Sequence, residues 1–415
     1  MSPSTTGPAA GPSTPGAPSA AGHGPRLRVA MLVDHVVGGG AERAAVELAC
    51  ALASHHEVTM IASRMRTDQR GEETFRGTVA RLEGAGVPLL TLGRTATGKV
   101  WEWRPLIRHL RARRLDVLHT HLSGSNAWGP FIARLAGVRA HVAHEQTPFP
   151  FAGGLRALGD AGSEALVNPW LIGPLASAIV VPSRWSLDSL VELQGLPREK
   201  LRVVPNAAPE VDRGEVDRAA VRASMGVTDD DLVVVIAAML RPEKGHEVAV
   251  RAIAAVRERH PRAILALAGS GELNDPEGVR PALEVLAREL GVEDAVRYLG
   301  RRHDVMEVVA SSDIALLSSH RENLPLAVLE YMSAGTPIVT TDAGGTPELV
   351  DDGEHALVVP RGDADAMAAA IVRTFDDPAA AARRADAALA RQRSEFTWEA
   401  AASTLEDVYR EALAR

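Results

Sequence analysis

Two glutamates eight residues apart, Glu322 and Glu330, could bind the hydroxyl groups of a ligand. Pro325 between them is predicted to be the first residue of a helix, because its fixed φ and missing N–H cost nothing there. Glu322 then lies in the loop above the helix, and Glu330 lies about two turns down. Free N–H groups of Leu326 and Ala327 would form an anion site worth about 0.3–1 kcal/mol from the helix dipole. The segment predicts a phosphate site between two hydroxyl-binding carboxylates; ordinary surface charges are the alternative.

Cations for such a phosphate follow an apolar run in the second half of the chain. Arg241 can grip a phosphate with its planar guanidinium, and Lys244 adds a compact charge. When a diphosphate is the leaving group of a reaction, negative charge grows on it, and cations of this kind stabilise that charge. A solvated turn with two cations is the alternative. Gly269 and Gly271 follow another apolar run and would let a nucleotide approach the backbone, although Gly-x-Gly alone is a weak pattern.

A glycine-rich turn also follows the first apolar run. Gly38, Gly39 and Gly40 permit close approach to a phosphate or sugar where the next helix begins, and Arg43 falls in that helix. The spacing is not G-x-G-x-x-G, so dinucleotide binding is not predicted. A glycine turn without a ligand is the alternative.

Three histidines follow or end two further apolar runs: His119 and His121, two residues apart, and His144. With Asp116 they could hold a metal and serve a metal-dependent hydrolase, which stays open as an alternative function. A single histidine at a strand end is more often structural. His119 and His121 are predicted to shape the domain face or an acceptor pocket.

The elements that position these residues follow from the apolar pattern. Nearly continuous apolar runs suit strands covered on both faces, as in a parallel sheet, and strand-then-helix order implies right-handed crossovers. Strands are predicted at 27–33, 57–62, 117–120, 140–143, 178–181, 201–204, 232–238, 263–268, 296–299, 314–317, 337–340 and 355–359. The fold class is therefore α/β, with two Rossmann-like, doubly wound domains that face each other across a cleft outside the carboxyl ends of both sheets.

Four segments are predicted along the chain. Residues 1–25 are rich in Pro, Ala, Ser and Gly, without the basic start and apolar core of a signal peptide, and are expected to be a disordered tail. The first domain covers 26–207, and the second covers 208–395. The last segment, 396–415, is predicted to be a helix because its Ala and Leu residues recur at helical spacing.

Composition excludes several classes of protein. A net charge of −8 argues against a dedicated nucleic-acid binder, and no run reaches the ~18 apolar residues of a membrane span. The single cysteine, Cys50, rules out an internal disulfide and suits a reducing compartment, so we expect a cytoplasmic protein. The basic segment 104–114 is typical of a solvated helix; weak peripheral contact with the inner face of an anionic membrane is the alternative.

Taken in order, the motifs resemble those of glycosyltransferase family 4, a large family of retaining enzymes with the GT-B architecture. They are RPEKG at 241–245, AGSG at 268–271, two glutamates at 322 and 330, MSAGTPIV at 332–339 and GGTPE at 344–348. The resemblance covers 26–415 and is sharpest between 239 and 348. Asn323 replaces the usual glycine of the family, and Asn206-Ala207 replaces the usual Asn-Gly. These departures bear on sugar choice and loop conformation.

The resemblance implies that the domain 26–207 binds the acceptor of the sugar, that the domain 208–395 binds the sugar donor, and that the helix 396–415 crosses back to the first domain. It also implies a role for each candidate residue. Arg241 and Lys244 would hold the donor diphosphate, Glu322 would contact the transferred sugar, and Glu330 would bind the ribose. His144 would meet the donor sugar, the loop with Arg301 would pack beside the base, and the turn at Gly39 and Gly40 would cover the phosphates. The donor-binding set implied is Gly39, Gly40, Gly269, Gly271, Arg301, Asn323, Leu324, Leu326, Ala327 and Glu330, with His144, Arg241, Lys244 and Glu322 as catalytic residues.

The implied reaction moves a hexose-type sugar from a nucleoside-diphosphate sugar, with a UDP-sugar slightly favoured, and retains the anomeric configuration. The acceptor would be a polysaccharide, a lipid-linked glycan or a small natural product. No cofactor or metal is predicted, because Arg241, Lys244 and helix amides can neutralise the diphosphate. The segment Asp229–Asp231 contains Asp-x-Asp, a pattern associated with metal-held phosphates, but it precedes a strand and is typical of a solvated turn. A non-catalytic nucleotide-sugar sensor is the second alternative to the enzyme.

Overall fold

The computed structural model describes residues 24–36, 39–64, 69–95, 99–146, 172–269 and 278–415. Within these ranges the chain forms two all-parallel sheets, one in each half of the sequence. Their central strands are almost wholly buried, because helices cover both faces. The predicted α/β class with two doubly wound domains is confirmed.

The first sheet has the strand order β3-β2-β1-β4-β5-β6-β7 among the described residues. Its strands are β1 (Arg28–Val33), β2 (Glu57–Ala62), β3 (Leu89–Thr91), β4 (Val117–His121), β5 (Ala140–His144), β6 (Ala178–Val181) and β7 (Leu201–Val203). Its helices are α1 (Gly40–Ala53), α2 (Gln69–Gly84), α3 (Arg104–Arg113), α4 (Ser123–Ala136), α5 (Gly173–Leu175) and α6 (Arg184–Gln194). The order reverses between β1 and β4, and ligands of such sheets bind at this reversal.

The second sheet repeats the arrangement with the order β10-β9-β8-β11-β12-β13 among the described residues. Its strands are β8 (Leu232–Ala237), β9 (Ala263–Ala268), β10 (Val296–Gly300), β11 (Ile314–Leu317), β12 (Ile338–Thr341) and β13 (Leu357–Val359). Its helices are α7 (Arg218–Ser224), α8 (His246–Arg259), α9 (Val279–Glu289), α10 (Val305–Ala310), α11 (Leu326–Ser333), α12 (Thr346–Leu349), α13 (Ala364–Asp376) and α14 (Pro378–Glu395). Here the order reverses between β8 and β11.

The predicted strands agree with the structure to within two residues, with small differences at their ends. The edge strand β3 was not predicted, because three half-exposed residues give no clear pattern. β12 begins at Ile338 rather than at Pro337, which has no N–H to donate to a ladder. β13 begins at Leu357, after a turn that contains His355.

The last helix, α15 (Trp398–Ala414), packs in the core of the first domain. Trp398, Leu405 and Tyr409 are buried there together with residues of β1 and α1, including Cys50. The preceding helix α14 packs on α11 of the second domain. The end of the chain therefore connects the two domains. Of the predicted tail, residues 1–23 lie outside the described part of the chain.

The basic segment forms α3, whose apolar side chains face inward. Leu106 and Leu110 have no exposed surface and pack with β1 and α4 residues, which leaves the arginines outside. Val100 and Trp101, just before α3, are about half exposed. No helix among the described residues has the length and apolar character that crossing a bilayer requires.

Candidate functional site

A cavity of about 330 Å³ lies where the two domains meet. Both contribute to it: α1 and the loops after β5 and β7 from the first domain, and the loops after β8 and β11 from the second. Its lining residues are Gly40, Ala41, Arg43, Gln146, Asn206, Ala237, Ala238, Met239, Lys244, Leu317, Glu322, Asn323, Leu324, Pro325, Leu326, Ala327 and Glu330. Eight of the candidate residues from the sequence line this one cavity.

The N-terminus of α11 forms one wall of the cavity. Pro325 is the residue before the helix rather than its first residue, and its carbonyl accepts from the N–H of Val328. The N–H groups of Leu326 and Ala327 precede that first bond, as an anion site requires. Glu330 is the fifth residue of α11, so it lies about one turn into the helix and not two. The carboxylate of Glu330 is therefore closer to the anion site than the sequence predicts.

Lys244 and Glu322 form an ion pair at the cavity wall. Lys244 Nζ lies 2.7 Å from Glu322 Oε1, which also accepts from Ser319 Oγ at 2.7 Å. Gly245 follows Lys244 with φ +63°, and a Cβ there would lie 2.1 Å from the carbonyl oxygen of Ser318. Only glycine lets the lysine loop approach the glutamate loop this closely.

A second glycine fixes the loop that carries Glu322. Gly344 has φ +57°, and a Cβ there would lie 1.8 Å from the carbonyl oxygen of Glu322. The next residue, Gly345, donates its N–H to the carbonyl of Asn323 at 2.8 Å. The GGTPE motif therefore acts as a support for the Glu322–Asn323 backbone.

Asn323, a departure from the family pattern, connects the two domains. Its Nδ2 donates to the carbonyl of Gln146 at 2.8 Å, and its Oδ1 accepts from Ser183 Oγ at 3.2 Å. Both partners belong to the first domain. The asparagine side chain therefore fixes the loop of Glu322 and Asn323 against the opposite wall of the cavity, which glycine could not do.

Arg43 of α1 forms an ion pair with Glu330 across the cavity. Burial lowers the pKa of Arg43, but a guanidinium beside a carboxylate stays charged. The helix of Arg43 begins at Gly40, which leaves Gly39 as its N-cap. A Cβ on Gly40 would lie 2.9 Å from Cδ1 of Leu326, so this turn packs directly on the second domain.

Glu348 makes a further contact between the domains. Its two carboxylate oxygens accept from the backbone N–H groups of Arg184 and Trp185 at 2.9 and 2.8 Å. These are the first residues of α6, where a negative charge is favoured. A carboxylate of the GGTPE motif thus caps a helix of the other domain.

His144 lies behind the cavity wall rather than in it. Its side chain has no exposed surface, and burial lowers its pKa to about 3. Its Nε2 is 3.3 Å from the side-chain nitrogen of Gln146, which does line the cavity. Gln146 is therefore the group at the carboxyl end of β5 that a ligand would meet first.

The other candidate residues do not line the cavity. Arg241 is 43% exposed, and its closest carboxylate partner is Glu243 at 3.9 Å. Gly269 packs against the loop that does line it, since a Cβ there would lie 1.8 Å from the carbonyl oxygen of Ala238. Arg301 is exposed. Gly271 lies outside the described residues, as do Gly38 and the segment 147–171.

The sequence assigns no role to four residues that make contacts between the domains: Arg43, Gln146, Ser183 and Glu348. Arg43 and Glu348 lie in motifs that the sequence shows, the glycine-rich turn and GGTPE, and Gln146 follows the carboxyl end of β5 by two residues. Their partners are distant in the sequence, so no local pattern predicts the contacts themselves.

The residues considered as metal ligands do not all lie in one place. Asp116 binds the backbone N–H of Arg28 at 2.9 Å, at the amino end of β4, so it lies away from the histidines. His119, His121 and His144 do lie together. Asp231 accepts from Thr228 and Arg262, as expected of a turn, and the hydrogen bond from the Thr228 backbone lowers its pKa.

Comparison with known proteins agrees with both domains. Residues 38–209 match the model of Glycosyltransferase Family 4, and residues 217–391 match that of Glycosyl transferases group 1. A D-inositol 3-phosphate glycosyltransferase of Stackebrandtia nassauensis is 33% identical over 320 residues, 72% of this chain and 69% of that one. A glycogen synthase of Mycobacterium tuberculosis is 32% identical over 245 residues, 59% of this chain and 56% of that one.

The architecture also has solved counterparts. HepE of Anabaena, crystallised with UDP and glucose, superposes with a TM-score of 0.75 at 20% identity, covering 92% of this chain and 98% of that one. The family matches, the relatives and this fold agree, and none of them supports a hydrolase or a sensor. The chain therefore belongs to glycosyltransferase family 4, and it is a glycosyltransferase with the GT-B architecture.

Proposed function

We propose that this protein transfers a hexose-type sugar from a nucleoside-diphosphate sugar to an acceptor hydroxyl, with retention of configuration. One observation carries the proposal. The interdomain cavity places Lys244 and the N-terminus of α11 beside the carboxylates Glu322 and Glu330. These are the positive groups that a diphosphate needs and the acceptors that sugar and ribose hydroxyls need.

Protein cations and helix amides take the place of a metal in this proposal. Lys244 lines the cavity, and Arg241 lies three residues away on the same loop. Negative charge that develops on the departing diphosphate would be stabilised by Lys244, by the first N–H groups of α11 and by Arg241 on closure of the domains. The Asp229–Asp231 turn makes no contact that would place a metal near this cavity.

The two glutamates divide the hydroxyl contacts. Glu322, held by Lys244 and Ser319, faces the place of the transferred sugar. Glu330 would bind the ribose and also hold Arg43, since one carboxylate can accept about four hydrogen bonds.

Retention without a covalent intermediate is supported by the character of the lining carboxylates. Of the residues that line the cavity, Glu322 and Glu330 are the carboxylates, and each is already paired with a cation. Both come from the donor side of the cavity. We therefore propose that the leaving group departs and the acceptor attacks on the same face of the sugar, the diphosphate oxygen taking the acceptor proton.

The relatives support a choice of donor and acceptor to test first. HepE was crystallised with UDP and glucose, which favours a UDP-sugar here. Relatives named D-inositol 3-phosphate glycosyltransferase make a phosphorylated cyclitol the first acceptor to test. Polysaccharides and lipid-linked glycans are the other acceptor classes.

We place the reaction in the cytoplasm, where a reducing environment suits Cys50 and where nucleotide sugars are substrates. Weak contact with an anionic membrane through α3 would be electrostatic, because Leu106 and Leu110 are already packed inward. Co-sedimentation with anionic vesicles that disappears at high salt would support this contact. Co-sedimentation that is equal with neutral vesicles would contradict it.

The test of the proposed function is a transfer assay followed by NMR. The purified protein is incubated with UDP-, GDP-, ADP- or dTDP-hexoses and with inositol 3-phosphate or glycan acceptors, in excess EDTA. We expect nucleoside diphosphate release with at least one donor and a product with the anomeric configuration of that donor. An inverted product would contradict retention. Donor binding without hydrolysis or transfer under any condition would favour the sensor instead.

A further inference from the structure

Three fully buried histidines meet on one face of the first sheet. His119 and His121 alternate along β4, so they point to the same face, and His144 pairs with His121 in the register of β5. All three side chains have no exposed surface. Their ring centroids lie 4.3, 4.8 and 5.4 Å apart. We call these residues the histidine cluster.

The histidine cluster leaves several polar atoms without partners. Among the described residues, none bonds to His119 Nε2, to His144 Nδ1 or to either ring nitrogen of His121. One nitrogen of each ring lies within 4.8 Å of one nitrogen of each of the others. An unmade hydrogen bond in the interior is unfavourable, so native proteins rarely keep four such atoms together.

We propose that the histidine cluster is a structural site for a transition metal of the Zn²⁺ class. Imidazole nitrogens are preferred ligands of Zn²⁺, at about 2.0–2.1 Å. Because one nitrogen of each ring already lies within 4.8 Å of the others, a small rotation of the rings would bring one lone pair of each to the ion, and a water molecule would complete four-coordination. Three histidines and a water are also the ligand set of catalytic zinc. Here the three side chains have no exposed surface, so a substrate cannot reach the ion, and we assign it a structural role.

Neighbouring groups already orient one of the ligands. His119 Nδ1 lies 2.7 Å from the hydroxyl of Tyr409, which leaves Nε2 for the ion. In metal-bound histidines, the ring nitrogen that does not bind the metal typically has a hydrogen-bond partner of this kind. Tyr409 belongs to α15, so the ion would also connect the last helix to the first sheet.

The site is separate from the donor chemistry. His144 lies behind Gln146, so the ion would be behind the cavity wall and away from Lys244 and the N-terminus of α11. The proposed metal-free transfer therefore does not depend on the ion. Donor binding and metal content can succeed or fail independently.

The test measures metal on the wild-type protein first. Protein purified without chelator is dialysed, and its metal content is determined by inductively coupled plasma mass spectrometry. We expect about one Zn²⁺ per chain, a higher unfolding midpoint with Zn²⁺ than after removal by a strong chelator, and, with Co²⁺ in its place, the visible absorption of a tetrahedral nitrogen site. A wild-type protein that binds neither ion and unfolds identically with and without Zn²⁺ would overturn the proposal.

Matched variants locate the ion. His121→Asn should lose the metal and the Co²⁺ spectrum, and Tyr409→Phe should keep the ion but bind it about 10–100-fold more weakly. His355→Asn tests the set of Asp351, Glu354 and His355, in which the two carboxylates are exposed and the histidine is buried; it is the other group of possible ligands in the described part of the chain. If His355→Asn loses the metal while His121→Asn keeps it, the histidine cluster is not the site. If His121→Asn fails to fold, the Tyr409→Phe affinity and the Co²⁺ spectrum still decide.

Discussion

At the scale of single residues, charge in the cavity is arranged in pairs. Lys244 neutralises Glu322, and Arg43 neutralises Glu330. Each of these two nearly buried carboxylates therefore has a cationic partner in the absence of a ligand. The same cations are then available to a ligand that brings its own negative charge.

Lys244→Ala and Arg241→Ala should each reduce kcat by about 10²-fold or more, because in the proposed mechanism each supplies a positive charge to the leaving diphosphate, Lys244 from the cavity wall and Arg241 on closure of the domains. Steady-state kinetics measure the effect, and circular dichroism verifies folding. Arg251→Ala, at an exposed position of α8, is the matched control and should keep wild-type kcat. Wild-type turnover by both Lys244→Ala and Arg241→Ala would refute the assignment of the diphosphate site.

Glu330→Gln should act on donor binding more than on turnover. The substitution keeps the shape but removes the charge that holds Arg43 and that would bind the ribose, and a hydrogen bond to a charged group is worth about 1.5–3 kcal/mol. We expect the KM for the donor to rise roughly 10- to 100-fold with a smaller change in kcat. Glu289→Gln on exposed surface serves as the control. An unchanged donor KM would show that Glu330 does not bind the donor.

Buried histidines should make the fold sensitive to acid. Burial lowers the pKa of His246 to about 4 and that of His141 to about 3, against about 6.5 in an unfolded chain. Between these values the unfolded state binds more protons, so the free energy of unfolding falls as the pH drops from about 6.5 towards 4. Each group contributes a slope of up to about 1.4 kcal/mol per pH unit.

His246→Gln should flatten this dependence. Urea unfolding of the wild type and the variant at pH 7, 6 and 5 gives the comparison, in which the titration of shared carboxylates cancels. Parallel curves for the two proteins would mean that His246 is protonated to the same extent in the folded and unfolded states.

At the scale of elements, glycine turns fix the loops that carry the charges. A Cβ on Gly344 would lie 1.8 Å from the carbonyl oxygen of Glu322. Gly353 also has a positive φ, but a Cβ there would meet open space. Gly344→Ala should therefore lower the unfolding temperature more than Gly353→Ala, and only the first should reduce kcat. Thermal unfolding and kinetics test this pair. Equal effects of the two substitutions would show that backbone strain alone, and not the support of Glu322, explains the motif.

The sequence predicted these elements well where the pattern was long. Twelve strands could be placed because buried parallel strands are continuous apolar runs. The edge strand β3 is too short to give a pattern, and the depth of Glu330 in α11 was misjudged because Pro325 precedes the helix instead of starting it. Helix ends are set by capping contacts that the sequence shows only in part.

At the scale of the whole molecule, the cavity depends on contacts between the domains. Arg43 and Glu330 are 287 residues apart, Asn323 and Gln146 are 177 apart, and Glu348 is 164 residues from the helix that it caps. Motif spacing identified the half of the cavity that the second domain contributes, because its residues are close in sequence. It could not identify these partners, because no local pattern records which surfaces of two domains meet.

These contacts also suggest how the enzyme closes. A donor that draws Arg43 onto its own phosphates or hydroxyls would exchange the interdomain pair of Arg43 and Glu330 for contacts with the ligand. Domain closure would then accompany donor binding, as expected when an enzyme excludes water from a reactive leaving group.

The most direct test of the account is donor binding at equilibrium. Isothermal titration and thermal unfolding are measured with UDP-, GDP-, ADP- and dTDP-sugars, for the wild type and for Lys244→Ala. A ligand at about 100 times its Kd stabilises the folded state by about 2.7 kcal/mol. We predict that at least one nucleotide sugar, with UDP-sugars first, binds the wild type and raises its unfolding temperature, and that Lys244→Ala loses most of both effects. Absence of binding and of any thermal shift with all four donors would contradict the claim that this cavity binds a nucleotide sugar.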